Sequence, residues 1–360
     1  MTLEQLQEQL TRAYEAQNAG KYDETIRLAN DVLAITTDPA LRAEATRMLG
    51  IVAWRQGEHT SALEHYATAL EICQQAGIRQ GIAVSCASLG HIYYELSDYP
   101  PALEYLERAL GIAEELGKME VAEKYLGNIG LIYWACSDYF RALEYLSKAL
   151  QIAEAQGNTK KIASQLGNMG TIYWNLSEFS KSLEYYGKAL ALTEEVGNRI
   201  GAQKWMGNIG IIYSELADYS LAMEYLNKAL VLADEFNDTQ NMSLWLGNIG
   251  NVYRALHDFP NALFNYGKAL ELAVELGNKQ KQGIWLGNIG TLYSRMDFIE
   301  RDPTLAEDYL LRAINLCSSI GEKFYLYHYH KSLADLYKEE KRWEECQYHF
   351  EKYHDIEKEV

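Results

Sequence analysis

The residues of greatest chemical promise are amides rather than nucleophiles. Asparagine recurs at Asn128, Asn168, Asn208, Asn248 and Asn288, 40 residues apart each time. A carboxamide offers both a donor and an acceptor, matching the C=O and N–H of a peptide backbone. A row of them can hold an extended chain without demanding a sequence. The alternative use is to bond a neighbouring helix and fix the stacking of repeats. A second row, Trp54, Tyr94, Trp134 and Trp174, has the same spacing and then gives way to Ser214, Arg254 and Ser294. Aromatic rings are favoured anchors at interfaces; the alternative is that they pack over small residues of adjacent helices. Catalytic patterns do not stand out. Each Gly-Asn-Ile-Gly lies inside a helical pattern, without the strand-before-helix context of a nucleotide fingerprint. His328 and His330 are two apart and face different sides of a helix, so with His349 and His354 they do not read as a metal set. The reading is a binding protein, not an enzyme, with no cofactor or metal.

The elements that position these residues are helix pairs. In one unit, Leu126, Ile129, Gly130 and Tyr133 share a face of a first helix, and Ala142, Leu146 and Ala149 share a face of a second. Both follow the i, i+3, i+4, i+7 spacing of amphipathic helices. Small Gly130 and Ala142 allow the two to approach closely. Asp138 is placed to cap the second helix, as are Asp98, Glu178, Asp218 and Asp258 in their units. Gly157 ends that helix, where a left-handed residue is needed; Gly77, Gly117, Gly197 and Gly277 correspond. All the prolines fall near predicted helix starts. The equivalents of Gly130 are Ala13, Gly50, Gly90, Gly170, Gly210, Gly250, Gly290 and Ala334. The expected architecture is one all-α domain over 1–360, with nine repeats at about 1–37, 38–77, 78–117, 118–157, 158–197, 198–237, 238–277, 278–321 and 322–360. The longer eighth repeat reflects an inserted turn near Asp297 to Pro303.

This arrangement resembles the tetratricopeptide (TPR) repeat family, whose pattern here reads Leu126, Ile129-Gly130, Tyr133, Ala142, Leu146. The unit is 40 residues rather than the usual ~34. The longer Gly-Asn-x-Gly form is similar to the repeats of G-protein-signalling modulators and to those fused to bacterial sensor kinases, cyclases and transcription regulators. The resemblance implies a right-handed α-solenoid superhelix whose first helices line a concave groove. It also implies that the asparagines, at position six when Gly130 is position eight, hold a peptide backbone, as in those modulators and in the O-linked sugar transferases. Positions two, six, nine and thirteen fall on one stripe of the first helix, at ~100° per residue. That stripe carries Lys124, Lys204 and Arg295 against Glu95 and Glu215, with Arg254 beside it at position twelve. A neutral or mildly acidic peptide suits such a groove. Trp205, Trp245 and Trp285, at position three, read as core between repeats.

The net charge of −17 argues against nucleic acid and acidic membrane surfaces, since phosphate binding needs concentrated Lys and Arg. No apolar run approaches the ~18 residues that span a bilayer. Cys73, Cys86, Cys136, Cys317 and Cys346 are odd in number and scattered, which fits reduced thiols in the cytosol. The leading expectation is a peptide- or protein-binding scaffold. A sensory or regulatory part of a larger signalling enzyme or transcription regulator, and a self-assembling rod, are the rivals. The last second helix, Trp343 to Glu359, places Trp343, Phe350, Tyr353 and Ile356 near one face, expected to bury against the preceding helix. It reaches Val360 without a glycine stop, so the natural chain is expected to continue as further helix.

Overall fold

A computed structural model describes residues 2–358, which form eighteen α-helices and no strand among the described residues. The chain divides into two compact units, Met1–Ser182 and Leu183–Val360. The first unit holds α1 (Leu3–Asn18), α2 (Tyr22–Ile35), α3 (Pro39–Arg55), α4 (His59–Gln75), α5 (Arg79–Glu95), α6 (Tyr99–Glu115), α7 (Met119–Ala135), α8 (Tyr139–Ala155) and α9 (Thr159–Asn175). The boundary falls within α10 (Phe179–Glu195). The second unit continues with α11 (Arg199–Glu215), α12 (Tyr219–Glu235), α13 (Thr239–Ala255), α14 (Phe259–Glu275), α15 (Lys279–Ser294), α16 (Pro303–Ile320), α17 (Lys323–Glu339) and α18 (Trp343–Glu357). Within each unit a helix packs on the one before it and the one after it. The architecture is an all-α solenoid of helix pairs.

One pair shows why these residues fold so. α7 buries Leu126, Ile129 and Ile132, while α8 buries Ala142, Leu146 and Ala149. A Cβ on Gly130 would stand 2.9 Å from Leu146 Cγ and 3.3 Å from the Ala142 carbonyl oxygen, so the glycine is what lets the two backbones close. Between the helices Ser137 adopts the left-handed conformation at φ +60°. Asp138 then accepts the Arg141 N–H at 3.1 Å, and Asp218 and Asp258 do the same for Leu221 and Asn261. Asp98 is the exception: it caps nothing with its side chain, because the residue three on is Pro101, which has no N–H to give. The second helices end as expected, with Gly157 at φ +64°.

The first glycine of Gly-Asn-x-Gly has a role that amphipathic spacing does not expose. It receives the position-three side chain of the next repeat. A Cβ on Gly207 would lie 2.2 Å from Trp245 Cη2, on Gly247 2.0 Å from Trp285 Cη2, and on Gly287 2.0 Å from Tyr329 Cζ. The tryptophans are therefore core between repeats; Trp245 is 1% exposed and Trp285 3%.

One expectation needs correction. On α18 the face turned to α17 is Cys346, His349, Tyr353 and Ile356, with His349 buried and the Tyr353 ring 4.6 Å from Tyr327. Trp343 and Phe350, a full two turns apart, point away and are 62% and 52% exposed. At ~100° per residue Phe350 lies only ~20° round the helix from Trp343, whereas Ile356 lies ~140° from it, so the four cannot all turn to α17. The helix ends at Glu357 with Lys358 as its cap; the expected run through Glu359 and Val360 lies outside the described residues. The inserted turn after α15 is as expected, and Phe298 plugs it into the core against Phe259 (5.5 Å) and Tyr293 (5.9 Å).

Candidate functional site

In the first unit a groove of about 920 Å³ opens on the first helices α3, α5, α7 and α9. It gathers Tyr94, Lys124, Asn128 and Asn168 from the expected site. Repetition does the positioning: each Asn lies two residues before a position-eight glycine that is pinned to its own second helix, so successive amides emerge at the same height. Asn128 and Asn168 are half-buried and, among the described residues, their side chains make no hydrogen bond. Two donors and an acceptor on each are thus available to a ligand.

The groove floor holds residues that the polar stripe did not include. Glu123 is 2% exposed and accepts from Gln165 Nε2 at 2.8 Å, with Lys161 Nζ at 3.1 Å. Lys161 also reaches Glu120 at 3.4 Å. Arg47 and His91 complete the basic side of the lining. Glu123 sits at position one, which faces the preceding and following first helices rather than the open stripe; a polar residue there was the signal available. The same link recurs in the second unit, where Trp285 Nε1 donates to Ser243 Oγ at 3.1 Å. It is a ladder from position three to position one of the repeat before.

The aromatic row is heterogeneous. Trp54 is half-buried, meets His91 edge-on at 5.2 Å, donates its indole N–H to Glu95, and lies under Arg55 at 4.6 Å. Tyr94 tilts against Tyr99 at 6.3 Å, and burial raises its pKa. Trp134 is half-buried with its indole N–H enclosed and unpartnered, whereas Trp174 is 37% exposed. Gly127, the equivalent glycine beside this row, faces the Gln165 amide, with Nε2 3.1 Å from where its Cβ would stand.

In the second unit the amides divide. Asn208 makes no side-chain hydrogen bond among the described residues. Asn248 donates to the Leu244 carbonyl at 2.9 Å, and Asn288 reaches Asn251 Oδ1 at 3.5 Å, where Tyr266 also donates at 2.7 Å. Here structural bonding takes part of the amide capacity. Lys204 lies 4.8 Å over the Trp205 ring, and desolvation lowers its pKa. Arg254 is exposed. Arg295 is spent: it grips Asp297 with two bonds of 2.8 Å, and Asp297 also meets His257 at 3.2 Å. That clamp braces the inserted turn and raises the Arg295 pKa.

The histidines form a pair rather than a metal set. His330 and His349 bring their Nδ1 atoms to 2.8 Å, both buried, and no group of three or more His, Cys, Asp or Glu that could hold a metal occurs among the described residues. No described helix is long and apolar enough to cross a membrane.

A family model described as "Tetratricopeptide repeat" matches residues 41–115, 120–195 and 161–235. No curated protein matches the chain. Among solved structures, the apo form of RapI is similar at TM-score 0.71 and 14% identity, over 98% of this chain and 97% of that one. The apo form of the quorum sensor NprR from B. thuringiensis is similar at TM-score 0.67 and 15% identity, over 98% and 99%. A Rap protein complexed with competence and sporulation factor follows at TM-score 0.64 and 14% identity, over 99% and 98%. At these identities the likeness is one of fold.

Proposed function

Because the chain belongs to the tetratricopeptide repeat family, we propose that it is a non-enzymatic interaction scaffold that holds an extended peptide segment of a partner in the groove of its first helices. One observation carries the reading: the 920 Å³ groove of the first unit gathers Tyr94, Lys124, Asn128 and Asn168, and its two asparagine amides are unspent. Half-buried amides left without partners cost stability unless water or a ligand satisfies them. A peptide backbone offers alternating C=O and N–H at the required height, and Tyr94 supplies an apolar wall. Lys124 and Arg47 stand beside the ion pair of Glu123 and Lys161, so a neutral or mildly acidic segment is the best match. The similar Rap protein, solved with competence and sporulation factor, supports the idea that such a fold accommodates a signalling ligand. The similar quorum sensor supports a sensory version of the same reading, in which groove occupancy is the input to a larger regulator in the cytosol.

The test is selection of displayed random peptides on the whole chain, followed by titration of a winner. Asn128→Ala with Asn168→Ala should weaken binding by roughly 1–3 kcal/mol, as lost hydrogen bonds do, and leave the urea midpoint unchanged. Equal affinity in the double variant overturns the groove assignment.

A further inference from the structure

Between α3, α4 and α5 lies a recess of about 250 Å³, at a place where other repeats set an aromatic ring. Position three is a buried ring at Tyr125, Trp205, Trp245, Trp285 and Tyr329. In the second unit that ring lies over position five of the repeat before it, as Trp245 does over Gly207 and Trp285 over Gly247. In the third repeat position three is Ser85, and position five of the repeat before is Arg47. Both line the recess, together with Ala43 at position one.

The lining states what would enter. Ser85 is 2% exposed, and its hydroxyl makes no hydrogen bond among the described residues. A buried hydroxyl without a partner costs stability, so a group bringing an N–H or O–H gains there. Arg47 grips Glu44 through Nε at 3.0 Å and through Nη2. That bidentate pair uses the edge of the guanidinium and leaves its flat face for a ring. It also balances the charge, so a neutral group fits better than an ion. Ala43, Ile78, Val84 and Cys73 make the remaining walls apolar, and exposed Ala40 and Gln80 on the lining mean that the recess opens to solvent. A cavity of ~150 Å³ holds benzene, so this one has room for an indole. We propose that the recess binds an aromatic ring carrying one N–H or O–H on its edge, the side-chain chemistry of tryptophan or tyrosine, with the ring on Arg47 and the edge group bonded to Ser85. The chain itself makes such a bond where Trp285 Nε1 donates to Ser243 Oγ at 3.1 Å. Arg47 also lines the asparagine groove. The ring can therefore come from a segment lying in that groove or from a free small molecule, and the recess stands without the groove reading.

The probes are 3-methylindole and 4-methylphenol, with toluene as the ring that lacks the edge group. Each is titrated into the full chain and read by saturation-transfer NMR. Both polar probes should bind more tightly than toluene. Ser85→Ala should weaken them about 5-fold, the worth of one neutral hydrogen bond, and leave toluene unchanged. Ser85→Trp supplies a ring from the chain and should abolish binding of all three. Circular dichroism checks both variants, and Ser85→Ala keeps the test decisive if Ser85→Trp does not fold. No binding, or binding that a folded variant leaves unchanged, overturns the proposal; so does an equal loss for toluene in Ser85→Ala. A second arm finds the source of the ring. If a groove segment supplies it, replacing the tryptophan or tyrosine of a selected peptide by alanine should cost affinity in the parent but not in Ser85→Trp. Probes that bind while such peptides ignore Ser85 assign the recess to a free small molecule. Peptides that ignore Asn128→Ala with Asn168→Ala overturn the groove reading alone.

Discussion

Gly247→Ala should destabilise this protein although it raises helix propensity. In an open helix the exchange gains about 1 kcal/mol. At Gly247 the new Cβ would stand 2.0, 2.3 and 2.4 Å from three ring carbons of Trp285. Carbon atoms rest at about 3.5–4.0 Å, so the ring or the helix must move by about 1.5 Å. The ring has little freedom: it is 3% exposed, stacked on Tyr266, and tied through its N–H to Ser243 Oγ at 3.1 Å. Overpacking of that kind costs about 1–3 kcal/mol or more, which exceeds the propensity gain. Gly267→Ala on α14 is the control, because nothing lies within 4 Å of its Cβ, and it should gain about 1 kcal/mol. Urea denaturation followed by far-ultraviolet circular dichroism reads both. Adding Trp285→Leu to Gly247→Ala should cost less than the two single changes together, with a coupling of about 1 kcal/mol or more. If Gly247→Ala stabilises like Gly267→Ala, or if the pair is additive, the glycine is not a seat for the ring.

Three further outcomes follow from particular residues. Ala217 sits at φ +58°, where a Cβ costs about 1–2 kcal/mol, so Ala217→Gly should gain about 0.5–1 kcal/mol after the loss in unfolded-chain entropy, and Gly157→Ala should lower the thermal midpoint. Burial, then the neighbouring His349 and Lys352, push the His330 pKa down to about 4, and burial lowers that of His349 against the pull of Glu307. The unfolded chain then binds protons that the folded pair refuses, so stability should fall from about pH 6.5 towards pH 4, by roughly 1–2 kcal/mol once solvent screening is allowed for. A urea series across that range should flatten in His330→Phe/His349→Phe; an unchanged slope would place the titration elsewhere.

Much of the fold was legible because it is written in a period. Forty-residue repetition, amphipathic spacing and capping residues act through neighbours in the chain, so they define helix pairs before any tertiary contact is known. Gly130 against Leu146 and Asp138 at its helix start are of this kind. The proline at residue 101 was equally visible, and the loss of the Asp98 cap could have been read from it. What the chain alone left open concerns contacts between repeats, where partners are about forty residues apart and either of two faces can serve. Whether an asparagine bonds a ligand or a neighbour depends on what lies opposite: Asn251 stands near Asn248 and Asn288, and among the described residues nothing equivalent engages Asn128 or Asn168. The role of Gly247 rests on the Trp285 ring arriving from the next repeat. Helix type and pairing follow from short-range periodicity; amide use and glycine seats follow from which side chain long-range packing brings against each one.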